Sequence, residues 1–276
     1  MLHTTFAALV MMVLSQLPTK RQSLPPDPPA PFERFVVTTE NEPHAQIAGV
    51  VMPATGKARG TVFLLHGFSR RKEDLYGWNW IRRDLNWNLV AFDFREHGQS
   101  SRTLHLTTLG YYETDDVKAI VDHAEQLGLA KPYVIYGSSM GASVGLRWAS
   151  QDQRITGVLA VSPYRNGYAA AENFFKQRLH LNVELQGGWS DQLRQVDLPT
   201  DLAKRDDLRI TILCGEFDIF READQRAILA GSRSPARLKK LIIIPGGYHS
   251  SLWRWQGNDR VPSHDRIVRD FLRDVR

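Results

Sequence analysis

The stretch YVIYGSSMGASVG, residues 133–145, contains Gly-x-Ser-x-Gly twice in overlap: Gly137-Ser139-Gly141 and Gly141-Ser143-Gly145, with Ser138 as a third hydroxyl. Alone the motif is weak, because at roughly 7% glycine usage a chain this long meets it by chance about once in ten. The flanking pattern gives it content. PYVIYG reads as a short apolar strand that stops abruptly, and a helix runs from about residue 139 to residue 150. A serine nucleophile needs that arrangement: a strand that ends, a strained turn that pushes one serine forward, and a helix leaving close to the sheet. Ser139 stands at the turn. Ser143 lies one helical turn further on, where Gly141, Ala142 and Gly145 suit close helix–sheet packing. Ser139 is therefore the nucleophile candidate, Ser143 reads as structural, and Ser138 as a partner for local backbone groups.

Outward from this turn, strands and helices alternate. ERFVVTTE and AQIAGVVMP read as an antiparallel pair; GTVFLLHG, NLVAFDF, ITGVLAVS, LRITILCG and LKKLIIIPG are continuous apolar runs. Strands covered on both faces look like this, whereas half-exposed strands alternate. LYGWNWIRRDLNW has helical spacing, as does GYYETDDVKAIVDHAEQLG, which Gly128 closes. The expectation is an α/β fold, a mostly parallel sheet covered by helices on both faces. Between residues 163 and 207 the alternation fails. That segment holds no strong strand but has helical stretches near 169–179 and 189–196, and it reads as an inserted helical cap. Its aromatics include Phe174 and Phe175, which either line a substrate pocket or fill the cap's own core.

The 276 residues suit one large domain with an insertion. The net charge of +5 arises from basic residues interleaved with acidic ones, so nucleic acid is not an expected partner. A single cysteine, Cys214, excludes an intrachain disulfide framework and a cysteine-only metal site. At the N-terminus, residues 6–14 form an uncharged apolar core too short to span a bilayer comfortably, followed by the proline-rich LPPDPPAPF. Residues 1–30 are expected to be an export signal or membrane anchor plus spacer, outside a domain of residues 31–276. The alternative is a disordered tail on a cytoplasmic protein.

A serine nucleophile requires a base, an acid to orient it, and backbone donors for the oxyanion. In an open α/β sheet these sit beyond the carboxyl ends of strands. Glu216 and Asp218 follow LRITILCG, His249 follows LKKLIIIPGG, and Phe68 follows GTVFLLHG. Asp93, His66 and His97 also follow strands and compete for the same roles. His123 and His264, on helices, read as surface residues.

At this point a family pattern emerges. The sequence resembles the α/β-hydrolase superfamily over nearly all of residues 33–276. HGF (66–68) resembles its oxyanion loop, and GSSMG its nucleophile elbow. DFREHGQS (93–100) resembles its Asp-x-Arg-Gly-His-Gly-x-Ser segment, with Glu96 in place of the usual glycine. GEFD and GGYHS resemble its acid and histidine turns. The closest likeness is to capped esterase, lysophospholipase-like and monoacylglycerol-lipase-like members. The resemblance implies a serine hydrolase of carboxylic esters or thioesters, with Ser139, Asp218 and His249 as the triad and the backbone N–H groups of Phe68 and Met140 as the oxyanion hole. It implies no cofactor and no metal. Asp93 then reads as a loop brace, and His66 and His97 likewise. The same triad serves acyltransferases and perhydrolases, and the fold also carries noncatalytic binding proteins. The partner expected is a small-molecule ester, with membrane association through the N-terminal segment; nothing in the sequence sets the oligomeric state.

Overall fold

The computed structural model describes residues 27–180, 184–249 and 251–275, with the backbone alone at 177–179. The apolar segment at residues 6–14 lies outside them. The end of the expected linker does not: the Arg82 guanidinium donates to the carbonyls of Ala30 (2.7 Å) and Pro31 (3.1 Å), tying this stretch to the domain.

Eight strands form one sheet: β1 (Glu33–Thr38), β2 (Gln46–Met52), β3 (Thr61–Leu65), β4 (Asn88–Phe92), β5 (Tyr133–Ser138), β6 (Ile155–Val161), β7 (Arg209–Gly215) and β8 (Lys239–Ile244). Their order across the sheet is β1-β2-β4-β3-β5-β6-β7-β8. β2 runs antiparallel to both β1 and β4, and every other pair is parallel. Side chains of the parallel strands alternate between two cores. Phe63, Leu65, Ile135, Ala160 and Ile212 face one, while Val62, Leu64, Val134, Leu159 and Leu213 face the other. Both faces are apolar, which is why these strands read as unbroken hydrophobic runs.

Helices α1 (Asn79–Leu85) and α8 (His264–Asp274) cover one face through Ile81, Ile267, Val268 and Phe271. Helices α2 (Glu113–Gln126), α3 (Met140–Ala149) and α7 (Glu222–Gly231) cover the other through Val117, Val144 and Ile228. The chain reverses direction across the sheet between β3 and β5, and the helices that follow those two strands lie on opposite faces. A crevice therefore opens beyond their carboxyl ends, the usual site of function in such sheets.

Between β6 and β7 lie three helices, α4 (Gly167–Leu179), α5 (Gly188–Arg194) and α6 (Leu198–Leu202). An antiparallel bridge between Asn166 and Asp197 fastens the two ends of the excursion together. Each bridge residue also caps a helix, Asn166 accepting from Ala169 N–H and Asp197 from Thr200 N–H. Beyond the bridge, Leu198 and Leu202 are buried in the main core. Among the described residues no helix is long and apolar enough to cross a membrane.

One expected placement is corrected. His264 is not a surface residue: it is buried, with Nε2 3.3 Å from the Tyr136 hydroxyl and its ring 5.0 Å from that of Trp78. The helix turns its first residue, as well as its apolar face, toward the sheet.

Candidate active site

β5 ends at Ser138, and Ser139 adopts φ 51° and ψ −113°. An L-residue enters such a region at a cost of about 1–3 kcal/mol and stays only where its surroundings hold it. Here the Ser139 N–H still donates to Val161 O at 2.8 Å, while its carbonyl accepts the first bond of α3 from Ser143 N–H at 3.1 Å. The sheet grips one side of the residue and the helix the other, and the side chain is forced forward. A Cβ on Gly141 would strike the Leu65 carbonyl. The small residues after the serine thus allow α3 to leave directly over β3.

Ser139 Oγ lies 3.0 Å from His249 Nε2, and His249 Nδ1 lies 2.9 Å from Asp218 Oδ1. His249 is carried by the loop after β8, and Asp218 by the loop after β7. Three strand ends therefore converge on one hydrogen-bonded chain. Burial alone would raise the Asp218 carboxyl. The His249 hydrogen bond and charge oppose it, aided by Ser162 and the Phe220 N–H, and hold the group below the ordinary carboxylate range. An ionised carboxylate on Nδ1 favours the tautomer that leaves Nε2 free to accept the serine proton.

The profile of the alpha/beta hydrolase family matches residues 62–275, a span that includes all three side chains. The chain belongs to that family. A 90-residue segment is 31% identical to an uncharacterised Bacillus subtilis protein, YqkD, covering 32% of this chain and 29% of the relative. A 133-residue segment is 26% identical to a Synechocystis sp. protein named as a candidate esterase, covering 40% of this chain and 36% of that one. The matches thus span about a third of the length of these curated relatives. Solved structures share the fold. The Pyrococcus furiosus esterase Pf2001 superposes with a TM-score of 0.66 at 19% identity, covering 88% of this chain and 92% of that one. The alpha/beta hydrolase GrgF from Penicillium sp. sh18 gives 0.68 at 16%, covering 88% and 98%.

In this alpha/beta hydrolase, Phe68 and Met140 flank the elbow on the β3 and α3 sides. As the first residue of α3, Met140 has an N–H with no partner inside the helix, and the helix dipole places partial positive charge there. The Phe68 N–H donates to no backbone or side-chain group among the described residues. The Met140 side chain is buried, its sulfur 3.5 Å from the Thr107 hydroxyl, and Trp189 of α5 donates to the Thr107 carbonyl at 3.0 Å. The excursion between β6 and β7 is thereby linked to the residue that follows Ser139.

The two phenylalanines of α4 part company. Phe174 is half-buried and meets Phe68 edge to face, with ring centroids 5.5 Å apart. Phe175 is wholly buried in the core cluster. The competing groups are occupied elsewhere. Asp93 accepts from Lys72 N–H and Nζ and from Gln99 N–H. His66 Nε2 accepts from Phe94 N–H, and His97 Nε2 from Ser69 N–H. Glu216 accepts from Gly246 N–H.

Two neighbours of the chain were not legible beforehand. The Ser162 hydroxyl donates to Asp218 Oδ2 at 2.5 Å, and Phe220 N–H to Oδ1 at 3.0 Å. The Phe220 ring meets His249 edge to face at 5.2 Å. Two signals were available: Ser162 directly follows a strand, and Asp218 with Phe220 has the spacing of an Asx-turn, in which a carboxylate takes the N–H two residues on. A cleft of about 720 Å³, lined by Thr156, Arg205, Arg209 and Arg273, opens where β6 and β7 begin, at the opposite end of the sheet from Ser139. No cluster of three or more metal-ligating side chains occurs among the described residues.

Proposed function

We propose that this alpha/beta hydrolase cleaves carboxylic esters through an acyl-enzyme on Ser139. The observation that carries the reading is the unbroken chain Ser139 Oγ–His249 Nε2, His249 Nδ1–Asp218 Oδ1 at 3.0 and 2.9 Å. As Ser139 Oγ attacks the acyl carbon, its proton passes to His249 Nε2, and Asp218 stabilises the imidazolium. The Phe68 and Met140 N–H groups hold the oxyanion, each contributing roughly 3–4 kcal/mol to the transition state. The tetrahedral intermediate collapses, its C–O bond to the alcohol breaks, and His249 returns the proton to the departing alkoxide. Water repeats the cycle: it loses a proton to His249, attacks the acyl carbon, and the carboxylic acid leaves as Ser139 regains its hydrogen.

The substrate is a small ester with hydrocarbon character. Phe174 against Phe68 and Phe220 against His249 support an apolar lining. Four of the six large hydrophobic side chains exposed among the described residues, Phe217, Ile219, Tyr248 and Trp253, flank Asp218 and His249 in the chain. The names of the Synechocystis and Pyrococcus proteins support the ester bond alone. Helices α4 and α5 act as a cap that selects the ester. Residues 1–30 direct export or membrane attachment, so the full chain fractionates with membranes or outside the cell, and a chain starting at Pro31 stays soluble.

Labelling of the full chain with a fluorophosphonate probe tests the chemistry. Ser139→Ala abolishes both labelling and ester turnover with an unchanged melting temperature. His249→Ala is nearly as inactive, and the double variant little worse, because such residues act as a unit. Asp218→Asn keeps more activity than either. Persistent labelling in Ser139→Ala, or a dead Asp93→Asn beside an active Asp218→Asn, overturns the assignment.

A further inference from the structure

We propose that Ser162 is a positioning residue of this site, holding the Asp218 carboxylate so that Oδ1 alone faces His249; the inference rests on the reading of Ser139, His249 and Asp218 as the reacting chain. Ser162 is buried, at 1% exposure, and its hydroxyl donates to Asp218 Oδ2 at 2.5 Å. No other group among the described residues donates to that oxygen. Oδ1 receives His249 Nδ1 at 2.9 Å and Phe220 N–H at 3.0 Å. The two oxygens therefore do different work: one serves the imidazole, and the other is anchored from beneath.

The anchor is itself built with care for position. Ser162 has φ 51°, the left-handed region that a serine rarely occupies. Three elements hold the turn there. Ser162 N–H donates to Leu213 O of β7 at 2.8 Å, the Pro163 carbonyl accepts from Gln225 of α7 at 2.9 Å, and Tyr164 N–H donates to Ser143 of α3 at 2.9 Å. Glycine takes this backbone conformation without strain. A turn that needed only its shape would be served better by glycine, and the chain has serine, whose hydroxyl reaches the carboxylate.

Without that hydroxyl the carboxylate turns about its Cβ–Cγ bond. The base is then less well aligned, which lowers kcat and leaves KM in place.

The test compares Ser162→Ala with Ser162→Gly in the full chain, using a short dissolved ester. Both variants lose about tenfold in kcat with KM within twofold of wild type, as a displaced catalytic group should. Ser162→Gly does so while melting no lower than Ser162→Ala. A glycine variant with wild-type kcat overturns the proposal, since the residue then only shapes the turn. A wild-type chain that takes no fluorophosphonate label overturns the parent reading, and this one with it; a labelled wild type beside an unaffected glycine variant overturns this one alone.

Discussion

The Ser143 hydroxyl accepts a hydrogen bond from Tyr164 N–H at 2.9 Å and donates one to the Tyr164 carbonyl at 3.2 Å. The second serine of the doubled motif thus clasps α3 to the turn leaving β6, the same turn that presents Ser162 to Asp218. Both groups it satisfies are buried backbone, which water does not reach.

Ser143→Ala should therefore behave unlike Ser139→Ala. Leaving a buried backbone group unpaired destabilises by about 1–3 kcal/mol, so the urea midpoint falls while fluorophosphonate labelling persists. A variant that loses its label with an unchanged midpoint would move the nucleophile from the first serine to the second.

Phe174 and Phe175 separate selectivity from stability. Phe175→Ala empties a wholly buried site and should destabilise by about 3–5 kcal/mol. Phe174→Ala truncates a half-buried ring beside Phe68, so its melting temperature moves little. Its preferred acyl or alcohol length shifts instead, since each methylene buried there is worth about 0.8 kcal/mol, or about fourfold in rate. Chain-length profiles and melts of both variants check this; an unmoved profile in Phe174→Ala removes the argument for a lipophilic ester.

Glu96 stands where the family's segment usually has glycine, and it keeps the backbone of one, with φ 65°. Its carboxylate accepts from Thr103 N–H and Leu104 N–H, both at 2.7 Å, which offsets the strain. Glu96→Ala loses those bonds and keeps the strained backbone, whereas Glu96→Gly loses the bonds alone. The glycine variant should be the more stable of the two by about 1–2 kcal/mol. Urea unfolding ranks them, and the reverse order would deny the left-handed turn its role.

Acid should destabilise the fold. Burial lowers the His264 imidazole to about 4, and burial with the neighbouring His97 lowers His66 to about 3. The unfolded chain takes up these protons near the ordinary histidine value of about 6.5. Between about 6.5 and 4 for His264, and down to about 3 for His66, the unfolded state binds more protons, so stability falls as pH falls. The depressed Asp218 carboxyl acts in the same direction at lower pH: its contribution is present above the ordinary carboxylate value and lost as pH drops through the folded one. Urea midpoints at pH 8, 6 and 4.5 should decline steadily. His264→Gln should flatten the slope between 6 and 4.5, whatever it costs at pH 8; an unaltered slope would show that this imidazole titrates freely.

What lies along the chain was legible in it. The elbow at Ser139 depends on neighbours in sequence: a strand that stops, a strained residue, and small residues that let a helix pass. Asp218 and His249 were legible because parallel strands send their carboxyl ends to one edge, so following a strand is already a position in space. Identity beyond that came from the order of landmarks, since Glu216 and Asp93 satisfy the same local rule.

The remainder was decided by packing between segments distant in sequence. Phe174 and Phe175 are consecutive on α4, about 100° apart around its axis, and only the docking of that helix puts one beside Phe68 and the other into the core. His264 heads a helix whose sequence does not say that its first residue turns inward against Trp78 and Tyr136. Ser162 and Asp218 are 56 positions apart. Local signals define strands, turns and the serine that a turn pushes forward. Which second hydroxyl reaches a carboxylate at 2.5 Å depends on the relative placement of β6 and β7, and that is a property of the assembled sheet.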